Sequence, residues 1–412
     1  MSTQPAVREP AAVRSRSGAT EANAVDPSLG SSLVDDLPLR LLRNLGLVPQ
    51  RGLGVVRRAI FFALLTWLPL ALWALYAGRA LPGGVNEPLL FHFGVHVRFL
   101  IAVPALILGE ATAHRISTTL VPYFLTSGIV PPEKGAAFVR VVAGVARLRD
   151  RMLPWMLIAV IVLTWTVLEP VAVDAGGHEV TWAASGEASH LGFGGWWFLY
   201  VSRPIFSVLL AAWLWRLILA FVLLQRISRL DLSIVPTHPD GAGGLGFLSE
   251  LPKAFSLFAF ATSAVLTSRL AHDVLYHGVS VLSLKGMLVG FLVLVTAICV
   301  SPLLPLARVL ASAKRRALLE YGALIGQHGR LVRRRWILGE SSGDDGVLQA
   351  PEIGPVADTL AIYEAVRRMK PVPFGKSTLF GIAVPTLIPI LALLSTQVPI
   401  KDVLMKIVGG IL

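Results

Sequence analysis

Residues 59–77 read AIFFALLTWLPLALWALYA, with no charged side chain anywhere in the run. At about 1.5 Å per residue, a helix of that length covers roughly the 30 Å of a bilayer's hydrocarbon core. A helix that is apolar all round has no face to offer water, so it belongs in a core or in lipid. Six further blocks of similar character follow, at 89–109, 153–173, 196–224, 254–275, 286–306 and 377–397. Across the 412 residues, 54% are hydrophobic and only 15% charged, with a mean hydropathy of +0.68, which lies outside the soluble range. The expected fold is all-α: a polytopic helical membrane protein with about seven transmembrane helices, joined by amphipathic and cytoplasmic helices.

The net charge of +12 raises the question of nucleic acid, and the placement of Lys and Arg answers it. Segments 1–58, 111–152, 225–253 and 307–376 together hold 29 of the 37 basic residues. The alternating segments 78–88, 174–195, 276–285 and 398–412 hold four, and Arg98, Arg203, Arg216 and Arg269 lie within the blocks. Basic flanks resist translocation, so the pattern is that of membrane topology with the N-terminus inside and an odd number of spans. Nucleic acid is not an expected partner; membrane lipids are, and so is a second copy of the chain. The excess of Arg over Lys, with abundant Ala and Gly, fits a bacterial inner (plasma) membrane.

Four regions follow: a polar, Ser/Ala/Pro-rich disordered cytoplasmic tail over 1–37, a membrane domain of six spans over 38–306, a cytoplasmic helical segment over 307–376, and the seventh span with a short outer C-terminus over 377–412. Between the second and third spans, KGAAFVRVVAGVARLRDR (134–151) puts Arg140, Arg147 and Arg151 opposite Phe138, Val142 and Val145, the pattern of an interfacial helix. Beyond the sixth span, Leu310, Ala317, Leu324 and Leu331 recur every seven residues. That stripe either pairs subunits or packs on a short helix near Val356–Lys370. The linker 338–355 is rich in Gly, Ser and Asp. Pro302 and Pro305 in the sixth span, and Pro385 and Pro389 in the seventh, favour kinks. The single cysteine, Cys299, excludes an intrachain disulfide or a cysteine metal site.

Ionisable groups at membrane depth are the functional pointers, because each costs at least about 2.5–3.5 kcal/mol at the centre of a span unless it is paired or hydrated. Arg216, in FSVLLAAWLWRLILAFVLL (206–224), is the foremost. The block around it starts at Trp196 and is too long for one straight crossing, so Arg216 is either a buried charge or an anchor reaching the interface. Glu110 is its natural partner: counted from Arg98 and Pro204, both lie twelve residues along, about 18 Å down helices that run the same way. Such a pair either fixes packing or relays protons or ions. His114 shares a helical face with Glu110, while Arg98 and Arg203 are further intramembrane cations.

Toward the outer side, Arg269, His272, Asp273 and His277 cluster in SRLAHDVLYH, with Arg269 and Asp273 at ion-pair spacing. His92 and His96 lie at a similar level, so these groups either hold a metal such as zinc or sit solvated at the interface. In the cytoplasmic loop IVPTHPDGAGGLGFLSELP (234–252), Gly241, Gly243 and Gly246 spell G-x-G-x-x-G. A membrane helix follows at once where a dinucleotide site needs a βαβ unit, which excludes that reading. Three remain: a tight turn, close backbone packing in a re-entrant loop, or a loop whose backbone N–H groups converge on an anion beside His238 and Asp240.

HVRFLIAVPALILGE (96–110) and THPDGAGGLGFL (237–248) resemble segments of an uncharacterised group of bacterial polytopic inner-membrane proteins. The resemblance covers only those stretches and implies no activity. No motif requires a cofactor. The leading expectation is a channel or transporter for an ion or small charged solute. The alternatives are a membrane-embedded enzyme acting on a lipid-linked or phosphorylated substrate, with His238 and Asp240 near the cytoplasmic face and Arg226 or Arg229 binding phosphate, and a membrane scaffold or sensor built on the long helix after the sixth span.

Overall fold

The computed structural model describes residues 36–44, 46, 53–83, 88–174, 182–185, 190–339 and 354–397. Residues 1–35 of the expected tail (1–37), 340–353 of the expected linker (338–355) and the stretch 398–412 fall outside these, while residues 36–37 lead into α1 and 354–355 begin α10. The described chain is helical apart from a two-residue ladder pairing Ala184–Ser185 with His190–Leu191. Its principal helices are α1 (Leu37–Asn44), α2 (Val55–Tyr76), α3 (Val103–Thr126), α4 (Gly135–Asp150), α5 (Met152–Asp174), α6 (Arg203–Ile227), α7 (Ser256–Tyr276), α8 (Lys285–Val300), α9 (Leu304–Val332), α10 (Gly354–Arg368) and α11 (Lys376–Leu394). Among the described residues, seven runs are long and apolar enough to cross a membrane, in keeping with a multi-pass membrane protein.

Their surfaces agree with that. On α5, Leu153, Leu157, Leu163 and Trp165 are each about 60–70% exposed, an apolar surface of the kind that meets lipid or another protein. Between helices, small and hydroxyl residues allow close approach, as expected where lipid supplies no net hydrophobic drive. Ser263 of α7, fully buried, donates to the Thr386 carbonyl of α11 at 2.6 Å.

The length of the fourth block is resolved by a wide turn. Phe193–Trp197 runs into a π-helical turn at Phe198–Ser202 and then into α6 without a break. The second block repeats the device: Phe93–His96, a π-turn at Val97–Ala102, then α3. In both, the residue before a proline reaches back five positions, Val103 N–H to the Arg98 carbonyl and Arg203 N–H to that of Phe198. Pro104 and Pro204 lack an N–H and their rings crowd the carbonyl four residues earlier; widening the preceding turn relieves both problems. Pro302 and Pro305 lie at a 3-10 turn, Ser301–Leu303, joining α8 to α9, whereas Pro385 and Pro389 stay within α11.

Arg151 is extended, so α4 and α5 meet at a corner. The apolar face of α4, with Phe138, Val142 and Val145, is buried against the protein while Arg140 and Arg147 stay exposed. On α9 the seven-residue stripe divides. Leu310 and Ala317 are buried, and Lys314 Nζ donates to the Met369 carbonyl just past α10 at 2.6 Å; Leu324 is 51% exposed.

Candidate functional site: a buried charge layer

Trp213 of α6 sets the geometry. Its indole, fully buried, donates to the Leu106 carbonyl at 3.0 Å, and a Cβ at Gly109 would lie 2.8 Å from its ring. Only glycine at 109 lets α3 and α6 approach this closely. One position on from Gly109 stands Glu110, and one turn on from Trp213 stands Arg216, so the same contact delivers the two charges to each other.

Arg216 Nη2 donates to Glu110 Oε1 at 2.9 Å and to Asp36 Oδ2 at 2.6 Å, while its Nε donates to the same Asp36 oxygen at 2.9 Å. Arg58 Nη1 donates to the other oxygen of Glu110 at 2.6 Å. The result is an alternating row, Asp36–Arg216–Glu110–Arg58, formally neutral and nowhere more than 5% exposed. Arg216 is thus a buried charge and not an interfacial anchor; its guanidinium also sits 5.2 Å from the Trp213 ring centroid. Charges this deep persist only when paired and hydrogen-bonded, and these are. Asp36 is presented by α1, whose Leu39 is 1% exposed and whose Arg40 reaches Asp150 of α4 at 3.1 Å.

The four charges line a cavity of about 350 Å³, otherwise walled by apolar side chains of α1, α2 and α6, among them Leu42, Phe62, Ile205 and Val208. Two buried guanidinium nitrogens, Arg58 Nε and Arg216 Nη1, have no hydrogen-bond acceptor among the described residues. Asp36 and Arg58 did not emerge from the sequence. One ends what reads as a polar tail and the other is among the basic residues flanking the first span; an acidic residue directly before a short amphipathic helix was the available signal.

The other intramembrane candidates lie elsewhere. Arg98 stands over the Phe206 ring at 5.7 Å and Arg203 over Trp165 at 5.9 Å. His114 is half-buried one turn beyond Glu110 and takes no part in the row.

The glycine loop carries its own anion. Gly241, Gly243 and Gly244 have φ of 63°, 63° and 94°, and the loop closes around the Asp240 carboxylate. It accepts N–H bonds from Ala242 at 2.7 Å, Gly244 at 3.2 Å and Gly246 at 2.8 Å, with His238 Nδ1 2.9 Å away. Burial alone would raise Asp240, but these donors hold it below the ordinary carboxylate value. The convergence of backbone N–H groups is real, and an internal side chain fills it.

The histidines stack more than they converge. His92, 6% exposed, lies parallel to His272 with ring centroids 5.6 Å apart, and His272 meets His277 edge-on at 5.5 Å. His96 accepts from Trp67 Nε1 at 2.9 Å through Nδ1 and faces the Leu89 carbonyl at 3.0 Å through Nε2, which the neutral Nε2–H tautomer satisfies. Arg269 is exposed and makes no ion pair with Asp273, although their spacing allows one. Among the described residues no group of three or more His, Cys, Asp or Glu is placed to hold a metal.

Compared with known proteins, the chain matches no family model, no curated protein and no solved structure.

Proposed function

We propose that this multi-pass protein, its N-terminus on the cytoplasmic side of a bacterial inner membrane, moves an ion or small charged solute through the helices that surround the charge layer. The observation that carries the reading is the row Asp36–Arg216–Glu110–Arg58 lining a cavity between apolar helices. A static strut needs no cavity beside it, and four ionisable groups in nonpolar surroundings are an expensive way to pin helices that already meet through Trp213 on the Leu106 carbonyl and Ser202 on the Thr66 carbonyl. The tally of 29 basic residues against four supports the orientation.

The enzymatic alternative loses its supporting geometry. His238 and Asp240 are engaged with each other and with their own loop, and neither borders the cavity. Flux into liposomes tests the proposal. Reconstituted protein supports movement of protons or small ions under an imposed gradient, and Glu110→Gln and Arg216→Gln each reduce it at least tenfold. Vesicles that stay tight to protons, alkali cations, chloride and phosphate, with folded protein in the bilayer, would overturn it.

A further inference from the structure

We infer that the cavity beside the charge layer is a binding site for an anionic group carried on an apolar chain, and that Asp36 occupies the anion's place as a tethered substitute. The inference relies on the proposed function for the location of the site and not for transport.

The charge count comes first. Arg58, Arg216 and Glu110 belong to three apolar helices and together carry one net positive charge, at no more than 5% exposure. A buried guanidinium without a counter-charge is strongly disfavoured, so this trio requires one further anion. Asp36 supplies it, but from outside the bundle: it precedes an eight-residue helix, 180 positions from Arg216 in the chain. A counter-charge delivered on a short surface helix is removable in a way that Glu110, in the middle of α3, is not.

The cavity adds an independent observation. Both arginines line it, and each keeps a buried nitrogen, Arg58 Nε and Arg216 Nη1, without an acceptor among the described residues. Asp36 therefore neutralises the site without satisfying its donors. A phosphate or similar anion carries at least the charge of one carboxylate and more acceptor oxygens, so it answers the charge that Asp36 now answers. The remaining wall, including Phe62, Ile205, Val208 and Leu209, is apolar. At about 350 Å³ the space lies at the small end of ligand pockets, which are mostly apolar with a few placed polar groups. That combination selects an anion with an apolar tail over a hydrated inorganic ion.

Entry of such a ligand exchanges one carboxylate for another anion at Arg216, so α1 is released as the ligand binds. The bond from Arg40 to Asp150 then remains as a second, exposed tether.

Binding of monododecyl phosphate, counted by native mass spectrometry of the full chain in a neutral detergent, tests this without any gradient. Asp36→Ala binds it at least tenfold more tightly than the parent protein, because the competitor is gone. Adding Arg216→Gln to Asp36→Ala abolishes the gain. Asp36→Asn, which removes the same charge but keeps the side chain's size, behaves like Asp36→Ala, and unchanged hydrogen exchange in α3 and α6 shows that both variants are folded. Dodecyltrimethylammonium, of the same length and opposite charge, shows no gain. Equal affinity of parent and both Asp36 variants for dodecyl phosphate, or an equal gain for the cationic amphiphile, overturns the site. Inorganic phosphate binding as tightly as dodecyl phosphate overturns the apolar part of the assignment. Because no flux is measured, absence of transport leaves this result untouched, and failure to bind leaves the transport test standing.

Discussion

Two carboxylates in this molecule do the same chemical task in opposite settings. Asp240 neutralises and caps a nest of backbone N–H groups that lie two, four and six residues away, in a loop where it is 22% exposed. Asp36 pairs with a guanidinium 180 residues away at 1% exposure. The first contact closes a small ring of chain and forms whenever the turn forms; the second must bring together distant elements and desolvate both partners. A positive concavity in a fold is therefore not yet a ligand site. What separates structure from candidate function is whether the filling group belongs to the concavity's own segment or arrives from elsewhere.

The sharpest way to break the comparison is to remove a charge from each region. Arg216→Ala leaves two buried carboxylates, Asp36 and Glu110, with only the Arg58 guanidinium, on the far side of Glu110, to neutralise them. We expect a loss of about 3–5 kcal/mol in stability, read from unfolding of the detergent-solubilised protein by denaturant. Asp240→Ala leaves backbone donors unpaired at a partly exposed turn, at a cost of about 1–3 kcal/mol confined to the loop. The measurement is hydrogen exchange at the amides of Ala242, Gly244 and Gly246, which should lose protection while the helices keep theirs. If Asp240→Ala unfolds the bundle as fully as Arg216→Ala, the division between local and long-range filling is wrong.

A milder effect separates the regions by pH. The folded value of Asp240 lies below its ordinary one, so its contribution is complete above about 3.9, where the unfolded carboxylate ionises, and is lost as pH falls through the lower folded value. Protection of those three amides should stay level from pH 7 to 5 and fall only in stronger acid. Loss of protection already between pH 7 and 5 would show that the Asp240 carboxylate does not hold the turn.

The apolar helices were legible in composition alone, because a run such as 59–77 has no other stable setting. Glu110 and Arg216 were legible as partners because helical rise converts residue counts into depth. The rest of the row was not, since Asp36 meets Arg216 through tertiary folding that leaves no periodicity in the chain. The histidines show the reverse failure. Their spacing and level were readable, but metal binding depends on where ring nitrogens point, and stacking of His92 on His272 is a matter of rotamers and packing. In the glycine loop the N–H convergence was readable and its occupant was not, although Asp240 stood within the quoted motif.

The paired π-turns carry a phase slip. A single extra residue in a helix advances everything beyond it by about 100° around the axis. A helical wheel drawn straight through 93–126 or 193–227 therefore misassigns one half of each helix. The slip is what lets α6 aim Arg216 at Glu110 while, on the other side of the turn, Trp197 Nε1 donates to the Leu65 carbonyl at 3.1 Å. Excising one residue from Phe198–Ser202 would swing the tryptophan away from α2 and press the Pro204 ring back onto the carbonyl four residues before it, although every residue on either side kept its identity.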